Sequence, residues 1–303
     1  MVRNILAPTL AFVTHLLFLE KQTMLRSRVV RLFVASLFTV VFTALPMLAQ
    51  GAAEGAWQDL VMQGLNAASE NNTVKAEQLL LKALHEAEHF GPNDVRVGTT
   101  QNSLGLVYKT GRKFTEAEVA FRRALVILET AYGPESIDVG NVNFNIATVL
   151  LELGKSEQAL LYLRNCKNVY ERQLGGESLQ TAAVLCMTGD VYRGQKNYKE
   201  AEPLLKRCAQ IREAGGGLVN AELGDAMHSL AIVYQMQGKY GLADPSFKLA
   251  EKIREKTQGI MSASLADTLE AHAVMLKQMG RDPEADKDLK LAAVIRKRYP
   301  KAK

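Results

Sequence analysis

From about Ala56 to the end of the chain, apolar residues recur at separations of three and four, and the same kinds of residue return 42 positions later. From Ala117, steps of 42 land on Ala159, Ala201, Ala243 and Ala285. Phe121 leads in the same way to Leu163, Leu205, Phe247 and Leu289, and Ala124 to Cys166, Cys208, Ala250 and Ala292. Ile127 leads to Val169, Ile211, Ile253 and Ile295, and the small residue Gly105 to Ala147, Gly189, Ala231 and Ala273. These five units need no gap. An earlier unit carries the pattern slipped by one residue, at Gly64, Ala76, Leu80 and Ala83. Six units fill the chain from about Ala56, which leaves no room there for a separate catalytic domain.

Each unit reads as two helices. In "VGTTQNSLGLVYKTG", Val97, Leu104, Val107 and Tyr108 fall on multiples of three and four. A break follows at Gly111–Lys113, matched later by Gly154, Gly238 and Gly280. The second helix starts near Phe114, presents Ala117, Phe121, Ala124, Ile127 and Leu128 on one stripe, and ends at Gly133-Pro134. Small residues at Gly105, Ala117 and Ala124 let the two axes approach closely. A unit of this kind buries its apolar face only by stacking on a neighbour, so the pattern predicts an all-α solenoid of antiparallel helix pairs.

"NSLGLVYKTGRKFTEAEVAFRRALVILETAYGPES" and "HSLAIVYQMQGKYGLADPSFKLAEKIREK" resemble the tetratricopeptide repeat in its 42-residue form, the form of kinesin light chains. The likeness runs over about five-sixths of the chain. It departs at Ser156 and Asp282, which stand where Phe114, Tyr198 and Tyr240 sit, and in the linker "AGGGLVN", which lacks the proline. The resemblance implies a right-handed superhelix whose first helices line a concave groove for extended peptides or helices. The family's groove-facing positions fall here on Asn102, Lys109, Asn141, Thr148, Asp190, Arg193, Asp225, His228, Gln235, Glu270 and Lys277. They are polar and mixed in charge. Asn and Arg there can pair with a peptide backbone or a carboxylate.

Composition agrees with a helical globular chain: of 303 residues, 48% are hydrophobic and only 7% aromatic. The net charge of +5 does not point to nucleic acid. Residues 1–49 carry five basic side chains and one acidic, and the other 254 residues carry 32 basic and 31 acidic, so the body has no field to hold a phosphate backbone. The basic tail "RKRYPKAK" suits a solvated helix end. Three cysteines with no C-x-x-C indicate neither a zinc ribbon nor a disulfide framework. Cys166 and Cys208 take the small apolar position of Ala124, and Cys186 is expected as a half-buried thiol.

The N-terminal region reads as an export signal. Arg26, Arg28 and Arg31 precede an uncharged run from Leu32 to Leu45, then Pro46 and small residues, with cleavage expected after Ala49 or Ala53. Residues 24–53 are thus a signal peptide and 54–303 the repeat array. Residues 1–23, with a second apolar run from Ile5 to Leu19, read as a mis-assigned start ahead of Met24. Both runs fall short of the ~20 apolar residues of a spanning helix, and an uncleaved membrane anchor is the alternative.

One motif carries chemistry. His85-Glu86-Ala87-Glu88-His89 is H-E-x-x-H, the pattern that offers two histidines to zinc. The packing stripe of that helix is Ala76, Leu80, Ala83, Ala87 and Phe90, and His85 lies about 200° round the helix from Ala83. His89 continues the same polar row. His228 and His272 lie three and four units away, too far to supply a third ligand. No Walker loop, nucleophile elbow or dinucleotide fingerprint is present. The expected function is therefore an exported, periplasmic or secreted, non-enzymatic scaffold for protein or peptide partners, with no metal, cofactor, small-molecule substrate or nucleic acid. A cell-envelope component that binds polysaccharide or assembles an export machine is one alternative, and a metallopeptidase built on His85 and His89 is the other. Trp57 is the only tryptophan, and Tyr108, Tyr192 and Tyr234 are needed for packing, so the sugar reading is the weaker one.

Overall fold

The structure, a computed structural model, describes residues 51, 53–217 and 220–300. The predicted signal peptide lies almost entirely outside them, and the prefix entirely. The described chain is all helix and turn. After α1 (residues 53–69) come α2 (Thr73–Glu88), α3 (Val95–Thr110), α4 (Phe114–Tyr132), α5 (Ile137–Glu152) and α6 (Ser156–Gln173). Then follow α7 (Leu179–Gly194), α8 (Tyr198–Gly216), α9 (Ala221–Met236), α10 (Tyr240–Gln258), α11 (Ala263–Gln278) and α12 (Asp282–Arg298). Among the described residues no helix is long and apolar enough to cross a membrane.

The helices form two compact units that divide within α3, after Val107. In the first, α2 buries Ala76, Leu80, Ala83 and Ala87, the stripe the slipped register predicts. Gly64 of α1 lies so close to α2 that a Cβ there would come within 2.8 Å of Leu80 Cγ. The Trp57 indole donates to Thr100 Oγ1 at 2.9 Å, and Arg96 pairs with Glu54 and Asp94 while lying 4.1 Å over the Phe90 ring.

In the second unit, α5 packs on α6, α7 on α8, α9 on α10 and α11 on α12, and each hairpin stacks on the next. The periodic residues are its core. Ala117, Ala159, Ala201, Ala243 and Ala285 are all fully buried, as are Phe121, Leu163, Leu205 and Phe247. Leu289 is only partly buried. The approach is close at Gly189, where a Cβ would lie 2.7 Å from Leu205 Cγ of the partner helix.

Two further 42-residue series set the helix ends. Ser136, Ser178, Asn220 and Ser262 cap the N-termini of α5, α7, α9 and α11, each accepting a backbone N–H of the first turn through its side-chain oxygen. At the turn inside each hairpin, Gly154, Gly238 and Gly280 adopt φ of +71° to +73°. Arg112 and Lys196 hold the same left-handed backbone without glycine's freedom.

Burial ranks the side chains by what their loss should cost. Truncating Phe247→Ala, fully buried between two hairpins, is expected to lower stability by about 3–5 kcal/mol in urea unfolding. Val126→Ala, on an exposed face, is expected to change it by less than about 0.5 kcal/mol.

Candidate functional site

A concave cavity of about 770 Å³ opens in the second unit. Phe144 and Leu151 of α5, Met187, Asp190 and Val191 of α7, and Asp225 and Ala226 of α9 form its walls, and Arg212 of α8 reaches into it. First helices of successive hairpins thus supply most of the lining, and the wall between the charged groups is apolar.

The predicted groove positions have different fates. Asp190 and Asp225 line this cavity. Asp190 accepts from Arg193 Nε at 3.0 Å within α7, and Asp225 accepts from Arg254 at 2.7 Å. Asn141 accepts from the Tyr170 hydroxyl at 2.8 Å, and the Thr148 hydroxyl donates to the Phe144 carbonyl. Gln235 is buried and donates to Gln278 of the next hairpin. Glu270 pairs with Arg296 at 2.9 Å, Lys277 is exposed, and burial pushes the Lys109 ammonium down. Asn102, half-buried, belongs to the first unit.

His228 is largely enclosed. Its ring stands edge-on to Phe247 at 6.3 Å, and its Nδ1 is buried with no hydrogen-bond partner. Burial, reinforced by Arg254 of α10 and Arg193 of α7, pushes its pKa down to about 3. The imidazole is therefore neutral at neutral pH.

The pairing between the two helices of a hairpin is itself periodic, and one unit breaks it. Tyr170, Arg212, Arg254 and Arg296 are one 42-residue series near the ends of the second helices. Their partners on the first helices form another: Asn141, Ala183, Asp225 and Asp267. Tyr170 bonds Asn141, Arg254 bonds Asp225 and Arg296 bonds Asp267. Arg212 faces Ala183, which has nothing to accept. Its side chain is only 13% exposed, its nearest carboxylate is Glu222 at 3.9 Å, and its Nε is buried without a partner. Sequence reasoning passed over Arg212 because it lies on a second helix. Only alignment of the series against the hydrogen bonds reveals the missing acid.

The cysteines correct an expectation. Cys186 and Cys208 are joined in a disulfide that staples α7 to α8, with Cα atoms 5.5 Å apart. Neither is the free packing thiol their positions suggested, because the close approach of the two helices brings them together across 22 residues. Cys166 does remain a free, buried thiol, pushed up to about 12 by burial.

His85 and His89 are exposed, away from the buried stripe of α2, with ring centroids 5.1 Å apart. Among the described residues the one cluster of three metal-capable side chains lies elsewhere, at Glu251, His272 and Asp288. His272 is buried in a ring of acids. Burial pushes its imidazole down, but the carboxylates of Asp288 and Glu251 beside it outweigh this and raise its pKa to about 10.

Residues 96–166 and 138–214 match the tetratricopeptide repeat. No curated protein matches the chain. Among solved structures, BtubC (BKLC) from P. vanneervenii is 21% identical over 69% of this chain and 91% of its own, with a TM-score of 0.59. A Podosopora anserina putative kinesin light chain with nearly identical TPR-like repeats is 18% identical over 70% of this chain and 98% of its own, with a TM-score of 0.57. A Rap protein complexed with Competence and Sporulation Factor is 19% identical over 80% of this chain and 75% of its own, with a TM-score of 0.53. At these identities the likeness is one of fold, and it is the all-α helical repeat that the periodicity predicts.

The low pKa of His228 sets a sign for acid sensitivity. The folded value lies below the ordinary ~6.5, so its contribution is complete above about pH 6.5 and is lost as pH falls toward 3, at up to about 1.4 kcal/mol per pH unit. Urea midpoints should fall between pH 6.5 and 5 in the wild type and fall distinctly less in His228→Gln. An equal fall in both would place the acid sensitivity elsewhere.

Proposed function

We propose that this chain is a tetratricopeptide repeat protein and an exported, non-enzymatic scaffold that holds a segment of another protein in the groove of its second unit. The observation that carries the reading is Arg212. A guanidinium withdrawn from solvent, beside an apolar-walled cavity and without the acid its siblings possess, holds an unmet demand for an acceptor. A carboxylate on the bound segment meets that demand, while Phe144, Met187 and Val191 offer surface to apolar side chains beside it. The repeat fold supports the reading, since tetratricopeptide repeat proteins bind protein or peptide partners and a Rap protein of this fold is known in complex with Competence and Sporulation Factor.

Export is supported by two independent features. The arginine-led apolar run of residues 24–53 has the layout of a secretory signal, and the Cys186–Cys208 disulfide suits an oxidising compartment. A non-enzymatic role is supported by the match to the tetratricopeptide repeat, whose members are typically scaffolds.

The groove is tested with a partner captured from the native cell, the affinity then measured with purified components. Arg212→Ala is expected to weaken binding at least tenfold. Ala183→Asp, which supplies the acid that Arg254 and Arg296 have in the two following units, is expected to weaken binding to a similar degree while raising thermal stability. Unchanged affinity in both folded variants would remove Arg212 from the site.

A further inference from the structure

The last hairpin departs from the repeat at a core position. His272 stands where earlier units place Leu230, Thr188 and Ile146, of which Leu230 and Ile146 are buried apolar residues. It is itself 2% exposed. Asp288 stands where earlier units place Ser246 and Leu204. An ionisable group at a packing position lowers stability unless something compensates it.

The surroundings are specific. His272 Nε2, on α11, lies 3.1 Å from Asp244 Oδ1 of α10. Its Nδ1 lies 2.8 Å from Glu251 Oε1 of α10 and 3.0 Å from Asp288 Oδ2 of α12. The three acids differ in what else they hold. Asp244 also takes Lys248 at 2.8 Å and Arg281 at 3.0 Å. Among the described residues, Glu251 and Asp288 have no lysine or arginine partner, and both turn to the same ring nitrogen. One nitrogen has one direction in which to donate. It serves Glu251, and the buried Oδ2 of Asp288 is left without a well-formed hydrogen bond.

We propose that Glu251, His272 and Asp288 bind a divalent cation of the zinc type. Three ligand atoms within 4.8 Å of one another, one imidazole nitrogen and two carboxylate oxygens, come from three successive helices. Asp244 lies behind the ring, accepts the Nε2 proton and so turns the Nδ1 lone pair toward the two acids, as a carboxylate commonly does behind a ligating histidine. Zinc bonds of ~2.0–2.1 Å in a tetrahedron put ligand atoms roughly 3.3 Å apart, an adjustment within the reach of side-chain torsions. The ion takes the place of the Nδ1 proton, which leaves to solvent. Glu251 and Asp288 keep 20% and 16% of their side chains exposed, so water has access to the fourth position. The two carboxylates match the charge of the ion. A metal here ties α10, α11 and α12 of the second unit together. This site is independent of the groove and of the His85/His89 pair.

The test uses the full chain, stripped with chelator and titrated with ZnCl₂ by calorimetry, with thermal unfolding and circular dichroism in parallel. One equivalent is expected to bind and to raise Tm. Asp288→Asn and Glu251→Gln, both helical by circular dichroism, are expected to bind zinc at least tenfold more weakly. His85→Ala/His89→Ala is expected to bind as the wild type does. The proposal is overturned if the wild type takes up no zinc at micromolar concentration. It is equally overturned if both acid variants bind as tightly as the wild type, or if binding disappears with His85 and His89.

Discussion

The close approach of two helices at a small residue is the contact on which the rest of this chain depends. Where α7 meets α8, Gly189 leaves no room for a Cβ beside Leu205. Ala201 and Cys208 on the facing helix are fully buried. An approach that tight fixes both the rotation and the register of the two helices. The large side chains between the small ones, Phe121, Leu163, Leu205 and Phe247, then have one direction left, toward the adjoining hairpin. Repeating the contact every 42 residues repeats the hairpin, and caps and turns follow the same spacing because they are fixed to the same helices.

A repeated frame also makes function visible as departure from it. When four hairpins share a pairing position, the one whose first helix offers alanine there stands out, and it lines the cavity. When earlier units bury leucine or isoleucine at a position and the last buries histidine among carboxylates, that hairpin carries something the others do not. Each departure places polar chemistry on one side of an otherwise uniform scaffold, which is how a generic fold acquires a particular partner or ligand.

The sequence made the frame legible because periodicity reports burial directly: Ala117, Phe121, Ala124 and Ile127 and their successors are almost all core residues. It made the sites less legible for a geometric reason. Asp225 lies on the face of a first helix, yet its charge is taken up by Arg254 from the second helix, a pairing that spacing along one helix does not reveal. Cys186 and Cys208 each had an unremarkable place in its own helix, and only the distance between the helices makes them a disulfide. The H-E-x-x-H motif drew attention to two exposed histidines, while His272, part of no local motif, gathers its acids from residues 16 to 28 positions away across three helices. Local motifs carry information about one helix, and this chain keeps its chemistry between helices.

The central claim is that the apolar stripe builds the repeat and the concave side of the second unit does the binding. Hydrogen exchange on the full chain, with and without a captured partner, tests it most directly. The account predicts that bound partner slows exchange in α5, α7 and α9 and at the end of α8 around Arg212, with α6 and α10 unchanged. Protection confined to α6 and α10, with α5, α7 and α9 exchanging as in the free protein, would contradict it.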